Sequence, residues 1–166
     1  MYTKSSITPF WQTQFKDLEY KREPFNCQED VDLWRTQGFS QKEFSGKMYS
    51  MKNDMPAWTD GFLSVFNGSN ITLCFYKMDT CNIIPRHQDK FSKYSNLFQI
   101  TDKSSIYRAI IFLEDWKPGH VFEIDNDPIT NWRAGDCISW QYDTPHMAAN
   151  LGLEPRYTAQ ITFTHV

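Results

Sequence analysis

The spacing of apolar residues along this chain changes near residue 70. Before that point they recur every three or four positions, the period of one helical face. Trp11, Phe15 and Leu18 predict a first helix. Asn26 followed by Glu29 forms a capping-box pair, opening a second helix that carries Val31 and Trp34 and stops at Gly38. Asp54 and Pro56 start a third, with Trp58, Phe62 and Val65 on one side and Gly68 just past its end. After residue 70 the pattern becomes that of short strands, expected at about 71–78, 83–87, 106–113, 120–125, 128–132, 137–141, 145–149 and 156–164. Turn pairs such as Pro118-Gly119, Asp127-Pro128, Ala134-Gly135 and Leu151-Gly152 separate them. Short strands in series predict a mainly β sandwich or barrel, and helices that precede it would cover one outer face. With no repeat or linker, one domain is expected: helical support over 1–69 and a barrel core over 70–166.

The last strand sharpens the picture. Tyr157, Ala159, Ile161 and Phe163 alternate with Arg156, Thr158, Gln160 and Thr162. The apolar row suits packing against the helices. That assignment turns an arginine and its hydroxyl and amide neighbours toward the barrel interior, which needs a chemical reason.

Composition narrows the class. The chain has 166 residues, 40% hydrophobic and 16% aromatic, which supports a packed core and excludes a disordered or collagen-like polymer. A net charge of −3 argues against a broad basic surface for nucleic acid. Met1 to Phe25 lacks the apolar stretch of a secretion signal, and the longest aliphatic or aromatic run is only Ala109 to Leu113. A soluble, intracellular protein is expected, with no membrane partner. Cys27, Cys74, Cys81 and Cys137 form no C-x-x-C pair, so they read as thiols filling space rather than a zinc site.

Candidate chemistry lies in Pro85-Arg86-His87-Gln88-Asp89. On an extended segment, positions two apart project to one side, so His87 and Asp89 can share a metal. His146, 59 residues further on in Asp143-Thr144-Pro145-His146, is the third candidate ligand. Two histidines and a carboxylate on one face leave the remaining metal positions open, the design of non-haem Fe(II) oxygenases. Arg156 follows ten positions after His146, with Thr158 on the same face. A guanidinium clasps a carboxylate bidentately. An open-sided metal beside an arginine–hydroxyl pair suits 2-oxoglutarate, which chelates at one end and carries a carboxylate at the other.

His87-x-Asp89, His146 and Arg156 together resemble the 2-oxoglutarate/Fe(II) oxygenase superfamily, whose fold is a double-stranded β-helix, a jelly-roll or cupin-like barrel. The stretch from Tyr107-Arg108 through Asn131-Trp132-Arg133-Ala134-Gly135-Asp136 and His146 with Asn150 to Arg156 is similar to the aspartyl/asparaginyl β-hydroxylase branch. Asp89 departs from the best-known members of that branch, which lack the carboxylate ligand. The resemblance covers roughly residues 70–166. It implies Fe(II) at His87, Asp89 and His146, 2-oxoglutarate at Arg156, Thr158 and Arg108, and O2 as co-reactant. A C–H bond of a peptide side chain or an amino-acid-like molecule would be hydroxylated, with succinate and CO2 as co-products. A cupin-like metal-dependent binding module without turnover is the competing reading.

Other residues have plainer readings beside these. Arg108 reads as a surface arginine on an edge strand or a partner for a neighbouring carboxylate, but it shares a strand face with Ile106, Ile110 and Phe112, where a bound carboxylate would offset the cost of its charge. Trp132 and Trp140 read as core, His120 as a loop-end residue, His165 as terminal and solvated, and Asn150 as a brace or a turn residue. The connection from Arg86 to Arg108 holds five basic residues against Asp89 and Asp102, with Phe91, Tyr94 and Phe98. It reads either as a substrate loop over the metal, shielded by Tyr94 and Phe98, or as an ordinary solvated loop.

Overall fold

The computed structural model describes residues 1–41, 44–51 and 54–165. All eight strands expected after residue 70 form, and three more precede them. In chain order the strands are β1 (Tyr2–Ser6), β2 (Lys21–Pro24), β3 (Ser45–Ser50), β4 (Ser69–Met78), β5 (Ile83–His87), β6 (Ile106–Phe112), β7 (His120–Ile124), β8 (Asp127–Ile129), β9 (Asp136–Gln141), β10 (His146–Asn150) and β11 (Arg156–Thr164). They build two antiparallel sheets: a major one ordered β1-β9-β6-β11-β4-β3-β2 and a minor one ordered β5-β10-β7-β8. The fold is a double-stranded β-helix.

The N-terminal part is less helical than its apolar spacing predicts. The first expected helix shrinks to a 3-10 turn over Gln14–Asp17, with Phe15 buried. The second forms as α1 (Gln28–Thr36), but Cys27 rather than Asn26 stands at its N-cap and no side chain caps it. The third is a 3-10 turn over Ala57–Thr59 running into α2 (Asp60–Ser64). The unforeseen strands lie at the margins of the major sheet. β1 pairs with β9 at one edge, while β3 and β2 extend the sheet beyond β4 at the other. β1 and β2 are almost wholly exposed and leave no apolar alternation to read.

Two cores divide the major sheet's faces. On the outer face Trp11, Phe15 and Phe62 pack on Leu73, Phe75, Ile111, Ala159, Ile161 and Phe163. Trp11 Nε1 donates to the Leu113 carbonyl, tying the N-terminal segment to the sheet. Between the sheets lie Met78, Ile110, Phe112, Phe122, Ile124, Trp132, Ile138 and Trp140. The apolar row of β11 therefore does face the N-terminal layer, and Arg156, Thr158 and Thr162 are buried on the other side. Val31 and Trp34 of α1, with Phe44, pack on Ile83 and Ile84 of the minor sheet. Among the described residues no helix is long and apolar enough to cross a membrane.

Candidate metal centre

Backbone pairing brings the two histidines together. His87 ends β5, His146 begins β10, and they are direct partners across the minor sheet, with their rings 4.4 Å apart. Asp89 follows His87 by two residues, and ligand atoms of all three lie within 4.8 Å of one another. His146 Nε2 is 3.5 Å from Asp89 Oδ2. The neighbours fix the rings. Phe25 meets His87 edge-on at 4.8 Å, Trp140 lies 4.9 Å from His146, and Trp34 donates its indole N–H to the Arg86 carbonyl.

Hydrogen bonding selects the tautomers. His87 Nδ1 is 2.7 Å from the Pro85 carbonyl and His146 Nδ1 is 3.0 Å from the Thr144 carbonyl. A carbonyl only accepts, so Nδ1 carries the proton in each ring and Nε2 keeps its lone pair, as a metal-ligating histidine requires. Burial pushes His146 down to about 4 and also lowers His87, against the opposing pull of Asp89. Both imidazoles are therefore neutral near pH 7. Burial alone would raise Asp89, but Arg108, His146 and His87 outweigh it and hold the carboxyl below its ordinary value. Two neutral nitrogens and one carboxylate are the protonation states of a 2-His-1-carboxylate metal site.

The donor set also passes a stricter test. Asp89 Oδ2 is buried without an aligned hydrogen bond, although Arg108 Nη1 lies 3.0 Å away. Arg108 and Asp89 thus form a close ion pair. A buried carboxylate oxygen beside two imidazole lone pairs is a donor set that a divalent cation would fit.

Of the expected cosubstrate residues, Arg108 lies beside the three ligands. β6 places it across from Trp140 and Thr162. Its guanidinium stacks under Phe91 at 4.8 Å and reaches Thr162 Oγ1 at 3.5 Å, while Nε is buried and unpartnered. Arg156 and Thr158 stand further along β11, opposite Met78 and Tyr76 of β4. Arg156 is 4% exposed; it crosses to the minor sheet and donates Nη1 to the Val121 carbonyl at 2.6 Å, leaving its Nε without a partner. Burial lowers its pKa to about 10, which still leaves it charged at neutral pH. Val121 is three residues from Ile124, the β7 partner of His146, or about 10 Å of strand.

Sequence reasoning missed Tyr76. It is 7% exposed, pairs with Thr158, and burial pushes its phenol up, so it stays neutral. Its ring rests on Gly46, where any Cβ would overlap it. Among the apolar residues of β4 nothing distinguishes Tyr76, and only the β4–β11 register reveals its neighbours. The connection after His87 also differs from expectation. It folds into a short helix, α3 (Ser92–Phe98), whose Tyr94 donates to the Asn70 carbonyl and packs on Phe98. Phe91, at the start of this connection, lies over the Arg108 guanidinium.

The residues carrying the branch resemblance include turn builders. Asn131 and Gly135 have left-handed backbones at φ 57° and 94°. Arg133 pairs with Asp115, and Asp136 Oδ2 accepts from the Arg133 N–H. Asn150 is fully buried; its amide donates to the Met78 and Glu154 carbonyls and its Oδ1 accepts from the Gly152 N–H. His120, 3% exposed, points Nε2 at the Glu154 carbonyl and so braces the same turn. Trp132 and Trp140 are core residues.

Comparisons with known proteins bear on the fold. Residues 38–83 match the model of peptidase inhibitor family I36. That stretch is a minority of the chain, and it includes β4, whose partner β11 lies outside it. No curated protein sequence matches the chain. A prolyl-4-hydroxylase from Pseudomonas putida superposes with a TM-score of 0.61 at 12% identity, over 99% of this chain and 92% of that one. A predicted oxalate decarboxylase from Thermotoga maritima gives a TM-score of 0.46 at 10% identity, over 73% and 82%. A protein with a double-stranded β-helix domain from Klebsiella pneumoniae gives 0.40 at 14% identity, over 59% and 71%.

Proposed function

We propose that the protein is an Fe(II)- and 2-oxoglutarate-dependent oxygenase, nearest the aspartyl/asparaginyl β-hydroxylase-like branch, acting on a peptide side chain or an amino-acid-like molecule. The observation that carries this reading is the buried Asp89 carboxylate facing two imidazoles whose Nδ1 protons are already committed. Iron bound there with 2-oxoglutarate and O2 supplies hydroxylation of a C–H bond, with succinate and CO2 as co-products.

The chain's own residues bind, orient and exclude water. His87, Asp89 and His146 would hold the metal and would leave room on it for other ligands. Arg156 is the carboxylate clasp: its Nε is free in the interior, and Thr158 and Tyr76 stand beside it as hydroxyl partners. Trp140, Trp34, Phe25 and Phe91 wall the site with aromatic surface and keep water away from the reacting centre.

Anaerobic addition of Fe(II) and 2-oxoglutarate is expected to give a weak visible charge-transfer band, absent in His87→Ala, Asp89→Ala and His146→Ala variants that still fold. Metal binding with no band and no cosubstrate uptake would favour a cupin-like binding module. Retention of the band and of succinate formation by any two of the variants would place the metal elsewhere.

A further inference from the structure

Arg108 poses a problem that the metal reading does not solve. Its Nη1 contacts the oxygen of Asp89 that faces His146 Nε2, the oxygen a metal would take. Nor is the guanidinium free to swing out to solvent. Phe91 lies over it, held there by a left-handed backbone at φ 50°, and Thr162 lies within reach of Nη2. A metal entering the site thus meets a cation that must find another anion within the interior. A dication and a guanidinium against one carboxylate leave two positive charges in a poorly solvated space. The buried, unpartnered Nε of Arg108 already lacks an acceptor.

We infer that Arg108 couples metal loading to anion loading. In the metal-free site it neutralises Asp89; when a metal takes that oxygen, Arg108 turns to the carboxylate of the ligand that joins the metal. The inference rests on the oxygenase reading of the site and goes beyond it. It makes the metal bind weakly alone and tightly together with a carboxylate ligand, with one side chain responsible. Linkage requires the reciprocal effect, so the carboxylate ligand binds poorly until the metal is present.

Calorimetric titration of Mn(II), with and without 2-oxoglutarate, tests this on the whole chain. Arg108→Met is expected to bind Mn(II) alone roughly 10-fold tighter than wild type and to lose a similar factor of the tightening that 2-oxoglutarate gives. Arg108→Lys keeps the cation and is expected to stay near wild type for Mn(II) alone. If Arg108→Met does not fold, Arg108→Gln serves in its place. In wild type, glutarate, which lacks the chelating keto group, is also expected to tighten Mn(II). Unchanged Mn(II) affinity in the uncharged variants, or no effect of glutarate on wild type, overturns the coupling. Should wild type bind Mn(II) and 2-oxoglutarate together regardless, the oxygenase reading survives that failure. A wild type that binds neither removes the reading itself.

Discussion

At the scale of single residues, the candidate site is a problem of burying polar groups. The Nδ1 protons of His87 and His146 are spent on carbonyls, so neither ring has a proton to offer Asp89 near pH 7. His146 has a pKa of about 4 when folded against an ordinary 6.5, burial being the main cause. The unfolded chain therefore binds protons that the folded chain refuses, and stability climbs with pH between these values. It is full above about 6.5 and lost as pH falls toward 4, by on the order of 3 kcal/mol for this group. Urea unfolding of metal-free protein at pH 7 and pH 5 should show the loss, and His146→Gln should flatten the slope. An equal slope in both proteins would mean that other groups control it. If Arg156 clasps the cosubstrate as proposed, Arg156→Ala is expected to weaken 2-oxoglutarate by roughly 2–5 kcal/mol while changing Mn(II) affinity little. Calorimetry on metal-loaded protein measures this, and an unchanged Kd would move the carboxylate site to Arg108.

At the scale of elements, the turn joining β10 to β11 sets where Arg156 stands relative to His146. Asn150 holds that turn from inside, bonded to Met78, Gly152 and Glu154. Gly119 and Gly152 approach so closely that a Cβ on either would overlap backbone of the facing segment. Asn150→Ala strands buried backbone groups and is expected to cost about 3 kcal/mol, since each unsatisfied group costs roughly 1–3 kcal/mol. Chemical denaturation reads this directly, and a loss below about 1 kcal/mol would mean that water substitutes for the amide. The segment from Lys90 to Ser105 is an element of a different kind. Lys103 folds back onto the Lys90 carbonyl and the Tyr142 ring, while Lys90 and Lys93 stay exposed. Lys90→Glu with Lys93→Glu should slow turnover of an anionic substrate and spare uncoupled succinate formation, which product assays separate. Loss of both activities would assign the segment to cosubstrate binding or folding.

At the scale of the molecule, one sheet separates two jobs. The outer face of the major sheet packs on Trp11, Phe15 and Phe62 for stability, and its inner face carries Arg108, Thr158 and Arg156. Phe62→Ala empties a fully buried site in the outer core. It is expected to cost about 3–5 kcal/mol of stability while leaving Mn(II) affinity unchanged in the folded fraction. Thermal melts and metal titration of the same preparation check both halves. A parallel loss of metal affinity would show that the outer layer also shapes the metal centre.

The sequence alone determined the β architecture after residue 70, because strands with a buried face must alternate and their turns need glycine, proline or asparagine. It also singled out His87, Asp89 and His146, since residues with lone pairs or charge at matched strand positions have few other reasons to sit there. Tertiary structure alone decided the rest. β1, β2 and β3 join sheet edges through backbone hydrogen bonds, which leave little trace in side-chain pattern. The expected first helix gives way to a 3-10 turn because Trp11 and Phe15 are placed by the sheet they cover. Tyr76 and Phe91 come to the site through strand register and a left-handed residue, neither of which apolar spacing encodes. The pairing of Arg108 with Asp89 joins β6 to the segment after β5, and only the closed barrel puts that guanidinium against that carboxylate.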